Sequence, residues 1–373
     1  MKIGFKRVSV LLAATFFLAA GAAASAEKEV APYLKITIPI EVQNNGNFAS
    51  DVPGNRLNDL FTTIEPEITV GILKGLTFIT HVVLDPVRDA SPGDSRFFSN
   101  HGLYIEESYL QYKAYLRKSE GSAFAIRIYG GKITPNFGSA WDVAPGIFGT
   151  DFAEDYELTE RIGFGGAVTW ESGAFGNHTL SASTFVLDRT ILSEALITRR
   201  PRTLLADGGP SNTKGLRSFA VALDGENIPG LKGLAYHIAF VKQGMRGAPA
   251  ERGFAVGLTH SFEAGNVTIK PIFEIVNFWN TGGATDTDTL YLTSGVSVER
   301  GGWHTSLSGT LRSTSMAGAG KVRDTLIQVS GGYKFHNGFG IELGYSHRNE
   351  TSIATHTIGV LLTYELSFDS SKR

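Results

Sequence analysis

One segment of the chain concentrates the side chains with the clearest chemical potential. Between Thr134 and Arg161 the only basic residue is Arg161, against six carboxylates. The six are Asp142, Asp151, Glu154, Asp155, Glu157 and Glu160. Around a narrow aqueous passage, such a group creates a negative potential that favours cations. The alternative is structural, because the same acids can pair with arginines of other segments or cap a short helix.

Other residue types that carry chemistry are scattered rather than grouped. The Ser–His neighbours His260-Ser261 and Ser346-His347 fall in segments with strand character, where adjacent side chains point to opposite faces. Asp286 and Asp288 form a pair that lacks the further oxygen ligands of a calcium site. The chain has no cysteine, which excludes thiolate chemistry and Cys-ligated metals. The sequence therefore predicts no catalytic residue, no bound metal and no cofactor.

Short runs of alternating apolar and polar residues recur along almost the whole chain. Sixteen such runs can be placed between Tyr33 and Phe368, and the connectors between them are alternately long and mostly very short. The short connectors include Lys74-Gly75, Gly301-Gly302 and His336-Asn337. Barrels of the bacterial outer membrane have short periplasmic turns and longer external loops. The rhythm predicts an all-β transmembrane antiparallel barrel of about 16 strands, with the long acidic segment after the fifth.

The two faces of the runs differ in polarity. In the first run, Ile36, Ile38 and Ile40 share one face, while Thr37 and Glu41 share the other. A sixteen-stranded closed sheet is too wide for side chains to fill, so its interior holds water. Lipid requires a closed ladder without unpaired edges. We therefore expect the apolar face to meet lipid and the polar face to line an aqueous lumen.

The N-terminus has the organisation of a secretory signal peptide. A basic start is followed by an apolar stretch and by Ala24-Ser25-Ala26, a typical cleavage site. We expect residues 1–26 to be removed and residues 27–373 to form one barrel domain, since no later segment approaches 18 consecutive apolar residues. The formal net charge of −2 becomes −5 once the three basic residues of the signal peptide are lost. That charge does not suit a nucleic-acid partner.

Two adjoining stretches resemble a known family. Residues 104–112, an acidic and aromatic run, and residues 130–138, which contain Gly-Lys followed by Pro-Asn-Phe-Gly, resemble the fourth and fifth strands of bacterial outer-membrane porins, including the phosphate-selective group. In general porins, sixteen strands surround the pore, and the loop after the fifth folds inward to constrict it. The resemblance implies that the six acids form a pore constriction and that the protein is a homotrimer.

The last run also resembles the terminal strand of outer-membrane proteins. It ends on the aromatic Phe368, the feature that the barrel assembly machinery reads in those proteins. A five-residue tail, Asp369 to Arg373, follows where the family usually stops. The resemblance implies the assembly machinery as a partner, together with outer-membrane lipid and lipopolysaccharide.

The alternation of apolar and polar residues also predicts which charged side chains point into the lumen. The candidate pore-wall bases are Lys35, Lys113, Arg127, Arg312 and Arg348. The same face carries Glu41, Glu65, Glu67, Glu107, Glu274, Glu299 and Glu342. Because the signs are mixed, we expect most of these to be solvated wall. A transverse field between the loop acids and wall bases is a hypothesis. The arginine-rich segment 188–217 could be an anion funnel, a lipopolysaccharide contact or a trimer contact.

The sequence thus predicts a passive, weakly cation-preferring channel for ions and small hydrophilic solutes in the bacterial outer membrane. An anion- or phosphate-selective porin would need a basic ladder through the lumen, which the alternation does not reveal. An outer-membrane barrel enzyme and a structural or adhesive barrel are the alternatives from other classes.

Overall fold

The twenty strands in the part of the chain that the structure describes form a single sheet. The computed structural model describes residues 31–91, 93–119, 121–318 and 320–372, so the predicted signal peptide, 1–26, lies outside the described residues. The strands are β1 (Tyr33–Ser50), β2 (Asn58–Ile64), β3 (Glu67–Leu73), β4 (Leu76–Pro86), β5 (Arg96–Phe97), β6 (His101–Ser119), β7 (Ser122–Ile133), β8 (Arg161–Ser172), β9 (Gly176–Leu187), β10 (Leu196–Ile197), β11 (Ser218–Glu226), β12 (Leu234–Gln243), β13 (Glu251–His260), β14 (Phe262–Ala264), β15 (Val267–Trp279), β16 (Thr287–Arg300), β17 (Trp303–Met316), β18 (Gly320–Lys334), β19 (Gly340–Glu350) and β20 (Ile353–Asp369).

Sixteen of these units run the length of a closed antiparallel barrel. The β2 and β3 strands form one unit interrupted at Glu65-Pro66, and β13 and β14 form one unit interrupted at Ser261. The two-residue strands β5 and β10 belong to long loops. The sheet closes because β1 pairs with β20, from Lys35 opposite Asp369 to Ser50 opposite Thr355. Closure leaves no free edge, as a lipid environment requires. The predicted fold and strand count are confirmed.

The two faces of the wall have the predicted polarity. Large apolar side chains such as Phe164, Ile327 and Leu343 are exposed on the outside. The alternate residues, including Ser306 and Ser330, point inward and are buried within the barrel. Within the described residues, no helix is long and apolar enough to cross a membrane.

Candidate functional site: a loop packed along the inner wall

The acidic segment between β7 and β8 lies against the inner face of the barrel. It contains a single helical turn, α1 (Ala140–Val143), and a 3₁₀ turn at Glu154–Tyr156. Phe137 and Tyr156 of this loop are almost fully buried in an apolar cluster, to which the wall contributes small and medium residues such as Ala222. A second cluster joins the loop to β20. Together the two clusters include residues of the wall strands β9, β11, β12, β13, β15, β16 and β20. The segment is therefore a packed part of the barrel interior.

The wall provides room for the loop through glycines. A Cβ added to Gly359 would lie 2.6 Å from Phe148, closer than real Cβ atoms approach other heavy atoms. Four further positions are similar: Gly253 at 2.7 Å from Phe137, Gly257 at 2.8 Å from Ser139, Gly295 at 2.8 Å from Pro145 and Gly344 at 3.1 Å from Ile147. These glycines lie on β13, β16, β19 and β20. A side chain at Gly253, Gly257, Gly295 or Gly359 would clash with the loop, and at Gly344 the loop would have to move by a few tenths of an ångström. These glycines therefore provide the space that the loop occupies.

One wall carboxylate holds the helical turn. Glu274 on β15 is almost fully buried and accepts the Ser139 N–H at 2.7 Å and the Ser139 hydroxyl at 2.6 Å. It also accepts the Ala140 N–H at 2.9 Å and the Tyr156 hydroxyl at 2.6 Å. Hydrogen bonds to an ionised acceptor are shorter and stronger than those between neutral groups. Glu274 therefore connects the start of α1 and the return of the loop to the wall.

A buried histidine makes a second attachment. His237 and Asp224 are directly opposite each other on β12 and β11, with the His237 Nδ1 2.7 Å from the Asp224 carboxylate. The His237 Nε2 lies 3.0 Å from the Gly138 nitrogen and accepts its N–H. This geometry resembles an acid–base dyad, but the Nε2 lone pair is occupied by the loop backbone. The pair is structural, and only knowledge of the strand register could have found it in the sequence.

Two predicted constriction acids meet two predicted wall bases. The Arg312 guanidinium lies 2.6 Å from Asp155 and also pairs with Asp324 and Glu350, while Arg348 pairs with Asp151. Phe152 lies beneath both guanidinium groups, 4.5 Å from that of Arg312 and 5.4 Å from that of Arg348. Asp151 and Asp155 are thus held in ion pairs at the wall, as in the structural alternative, within a group of four carboxylates and two guanidinium groups.

The other loop acids have different surroundings. Glu160 lies 2.6 Å from Arg200 and 3.2 Å from Lys132, so it connects the loop to the arginine-rich segment. Glu154, the first residue of the 3₁₀ turn, accepts the Thr150 hydroxyl at 2.7 Å, and Glu157 follows that turn. Asp142 lies in α1, where burial raises the pKa of its carboxyl to about 7.

The remaining predicted wall bases lie on other strands. Lys35 and Lys113 each sit over a tyrosine ring of their own strand, at 5.1 and 5.3 Å, and Arg127 sits over Tyr129 at 5.4 Å. Lys113 and Arg127 are cross-strand partners on β6 and β7. The transverse field between these bases and the loop stays a prediction.

The Ser–His neighbours are separated as alternation predicts. Ser346 is buried on the inner face, whereas the His347 ring lies 4.6 Å from that of His356. His260 stacks on Phe262 at 3.8 Å. Among the described residues, no three His, Asp or Glu side chains are arranged to hold a metal ion.

Comparison with known proteins supports the fold. No protein-family model and no curated protein sequence matches the chain. Among solved structures, the outer-membrane channel DcaP of Acinetobacter baumannii has a TM-score of 0.53 at 10% identity, covering 90% of this chain and 96% of that one. A loop-deletion mutant of OmpT, an outer-membrane protein of Vibrio cholerae, has a TM-score of 0.50 at 10% identity, covering 89% and 99%. The chain therefore has the fold of an outer-membrane β-barrel.

Proposed function

We propose that the protein is a porin, a passive water-filled channel through the bacterial outer membrane for ions and small hydrophilic solutes. The observation that carries the proposal is the closed sixteen-stranded barrel whose inward residues are polar while its outward residues are apolar. A barrel of this strand number encloses more space than side chains fill. The fold shared with a solved outer-membrane channel supports the same function.

We further propose that the loop between β7 and β8 narrows this passage. It occupies one side of the lumen along β9 to β20, held by Glu274 and by the glycine-lined wall. Its six acids are the proposed constriction residues. Rings of acidic side chains favour cations, so the proposed preference is weakly cationic.

Export by a cleaved signal peptide at residues 1–26, insertion by the barrel assembly machinery and assembly as a homotrimer complete the proposal. The apolar outer surface suits contact with outer-membrane lipid. Lipopolysaccharide is one of the proposed contacts of the arginine-rich segment 188–217, beside an anion funnel and a trimer contact.

Reconstitution into planar lipid bilayers tests the function. We expect stepwise single-channel currents. In a potassium chloride gradient, we expect a reversal potential with the sign that arises when potassium is more permeant than chloride. A reversal potential set by chloride would favour an anion-selective porin instead. A folded, inserted protein without current steps would contradict the channel and favour a structural or enzymatic barrel.

A further inference from the structure

Two basic side chains face outward from the barrel at one of its rims. Lys242 on β12 and Arg252 on β13 are directly opposite each other in the sheet. Val241 is buried in the apolar cluster of the loop, and a Cβ added to Gly253 would meet Phe137, so these neighbours face inward and alternation directs the two bases outward. The connectors at this rim include the loops 134–160 and 188–217, and long loops are external in outer-membrane barrels. In the proposed orientation the pair therefore lies at the level of the outer leaflet.

The protein does not compensate these two charges within the described residues. Like charges directly opposite each other destabilise a pair of strands. Neither Lys242 nor Arg252 forms an ion pair with a carboxylate in the part of the chain that the structure describes. A third base adjoins them, because a Cβ added to Gly244 would lie 2.8 Å from that of Arg217. The concentration of positive charge on one outward patch indicates an anion supplied from outside the chain.

Aromatic rings adjoin the bases on the side of the membrane. Phe240 and Phe254 are the next outward residues of β12 and β13, and they are directly opposite each other. The rings of Phe240 and Phe219, which lies on β11, have centroids 6.0 Å apart, and Phe219 and Phe254 are exposed. Aromatic side chains are enriched where a membrane meets water. A ligand at this place meets positive charge at one end and an apolar surface at the other, an arrangement that suits a lipid with an anionic headgroup.

A cavity beside Arg252 adds groups that suit a sugar. Its volume is about 640 Å³. The residues that line it are Phe240, Arg252, Trp279, Asn280, Asp286 and Asp288. Arg252 is the ladder partner of Trp279, and Asp288 lies beyond Trp279 on β16; among the described residues, no ion pair joins Arg252 to either aspartate. Carboxylate and amide oxygens accept hydrogen bonds from hydroxyl groups, and the exposed Trp279 ring offers a flat apolar face. The cavity therefore suits a sugar next to the group that the bases hold.

We propose that this rim site, formed by Lys242, Arg252 and the adjoining cavity, binds a phosphorylated glycolipid of the outer leaflet, of the lipopolysaccharide class. The inference rests on the proposed outer-membrane location and goes beyond the channel function, because the site lies on the outer surface of the barrel. The phosphate lies between the two bases, the sugar lies against Trp279 in the cavity, and the acyl chains follow the phenylalanine rings. A lipid with a phosphate but no sugar uses only the bases and the rings.

The test measures binding of lipid A, the phosphorylated disaccharide lipid of lipopolysaccharide, to the purified protein in detergent micelles. The protein is refolded from inclusion bodies, so that it carries no lipopolysaccharide from the cell. The double variant Lys242→Gln/Arg252→Gln is expected to bind lipid A about tenfold or more weakly, since each base near an anionic lipid surface strengthens binding about fivefold. Lys74→Gln/Lys232→Gln, which removes two exposed bases from short turns at the other rim, is the matched control and should bind as the wild type does.

Comparison of ligands on the wild-type protein separates the parts of the site. Lipid A without its phosphates and phosphatidylglycerol, which has no sugar, should both bind more weakly than lipid A, and inorganic phosphate at the same concentration should not displace it. Equal affinity for lipid A and either of these lipids, displacement by inorganic phosphate, or a folded double variant that binds as the wild type does would overturn the glycolipid site. None of these readouts depends on conduction, so a barrel that binds lipid A as expected but carries no current would contradict the channel alone.

Discussion

Removing the Glu274 carboxylate is expected to release the loop from the wall. In the native protein this group accepts four hydrogen bonds, from the Ser139 N–H and hydroxyl, the Ala140 N–H and the Tyr156 hydroxyl. Glu274→Ala leaves all four donors without their acceptor in a buried environment. Each unsatisfied donor costs about 1 kcal/mol, the low end of the usual range. The loop packed against the wall therefore loses about 4 kcal/mol of stability relative to the released loop.

This magnitude predicts a large functional effect. A change of about 4 kcal/mol lowers the ratio of seated to released loop about a thousandfold. Because the loop occupies part of the lumen, we expect Glu274→Ala to raise single-channel conductance and to add slow current fluctuations. Limited proteolysis should in parallel cut within residues 134–160, which contain six acidic cleavage sites for a glutamate- and aspartate-specific protease.

The matched control is Glu299→Ala. It removes the same charge from the neighbouring strand β16, but its carboxylate is half-exposed and pairs with Lys270 at 2.8 Å rather than with the loop. We expect wild-type conductance and wild-type protease resistance for this variant. If Glu274→Ala matched Glu299→Ala in both assays, the inference that Glu274 seats the loop would be refuted.

Three further perturbations have definite expected outcomes. Gly359→Val places a side chain against Phe148, so conductance should rise as for a released loop. Arg312→Gln leaves Asp155 and its carboxylate neighbours without their counter-charge, so the potassium-to-chloride permeability ratio should rise about twofold. Burial raises the pKa of Asp142 to about 7, so its carboxyl is mostly neutral at pH 6 and ionised at pH 8; cation preference should therefore increase over this interval and Asp142→Asn should remove that increase.

Each of these three predictions has a control or an outcome that would contradict it. Gly331→Val introduces the same side chain where the nearest heavy atom to a new Cβ is 3.5 Å away, and it should keep the native conductance. Equal conductance for the two valine variants would contradict the seating role of the glycines. An unchanged ratio in Arg312→Gln would show that the paired acids do not act on permeant ions. A pH response retained in Asp142→Asn would assign that response to another group.

The barrel could be predicted from the sequence because its pattern is local. Alternation such as that of Ile36, Ile38 and Ile40 persists only where one face meets an apolar solvent and the other a polar one. The alternation of short and long connectors then oriented the strands, and the acidic segment follows the fifth spanning unit, β7, as expected. The interruptions at Glu65-Pro66 and Ser261 did not disturb the count, because each falls within one spanning unit.

The interior arrangement could not be predicted because it depends on register between distant strands. Asp155 and Arg312 are 157 residues apart, and Ser139 and Glu274 are 135 apart. Alternation placed Glu274 on the inner face but could not identify it as the acceptor for the loop. Alternation also fails locally in β6, where the register with β4 shifts between His81 and Val82. This bulge overrides the two-residue period, so Glu106 lies 3.0 Å from the His81 ring although its neighbour Glu107 also faces the lumen.

Solute flux through the reconstituted wild-type protein tests the central claim most directly. Liposomes that contain the purified barrel are diluted into an isosmotic solution of a small neutral sugar, and their swelling is followed by light scattering. We predict swelling well above that of protein-free liposomes, and a slower rate for a larger sugar, because water and small solutes pass beside the seated loop. Swelling no faster than in protein-free liposomes, with the barrel folded and inserted, would contradict a water-filled channel.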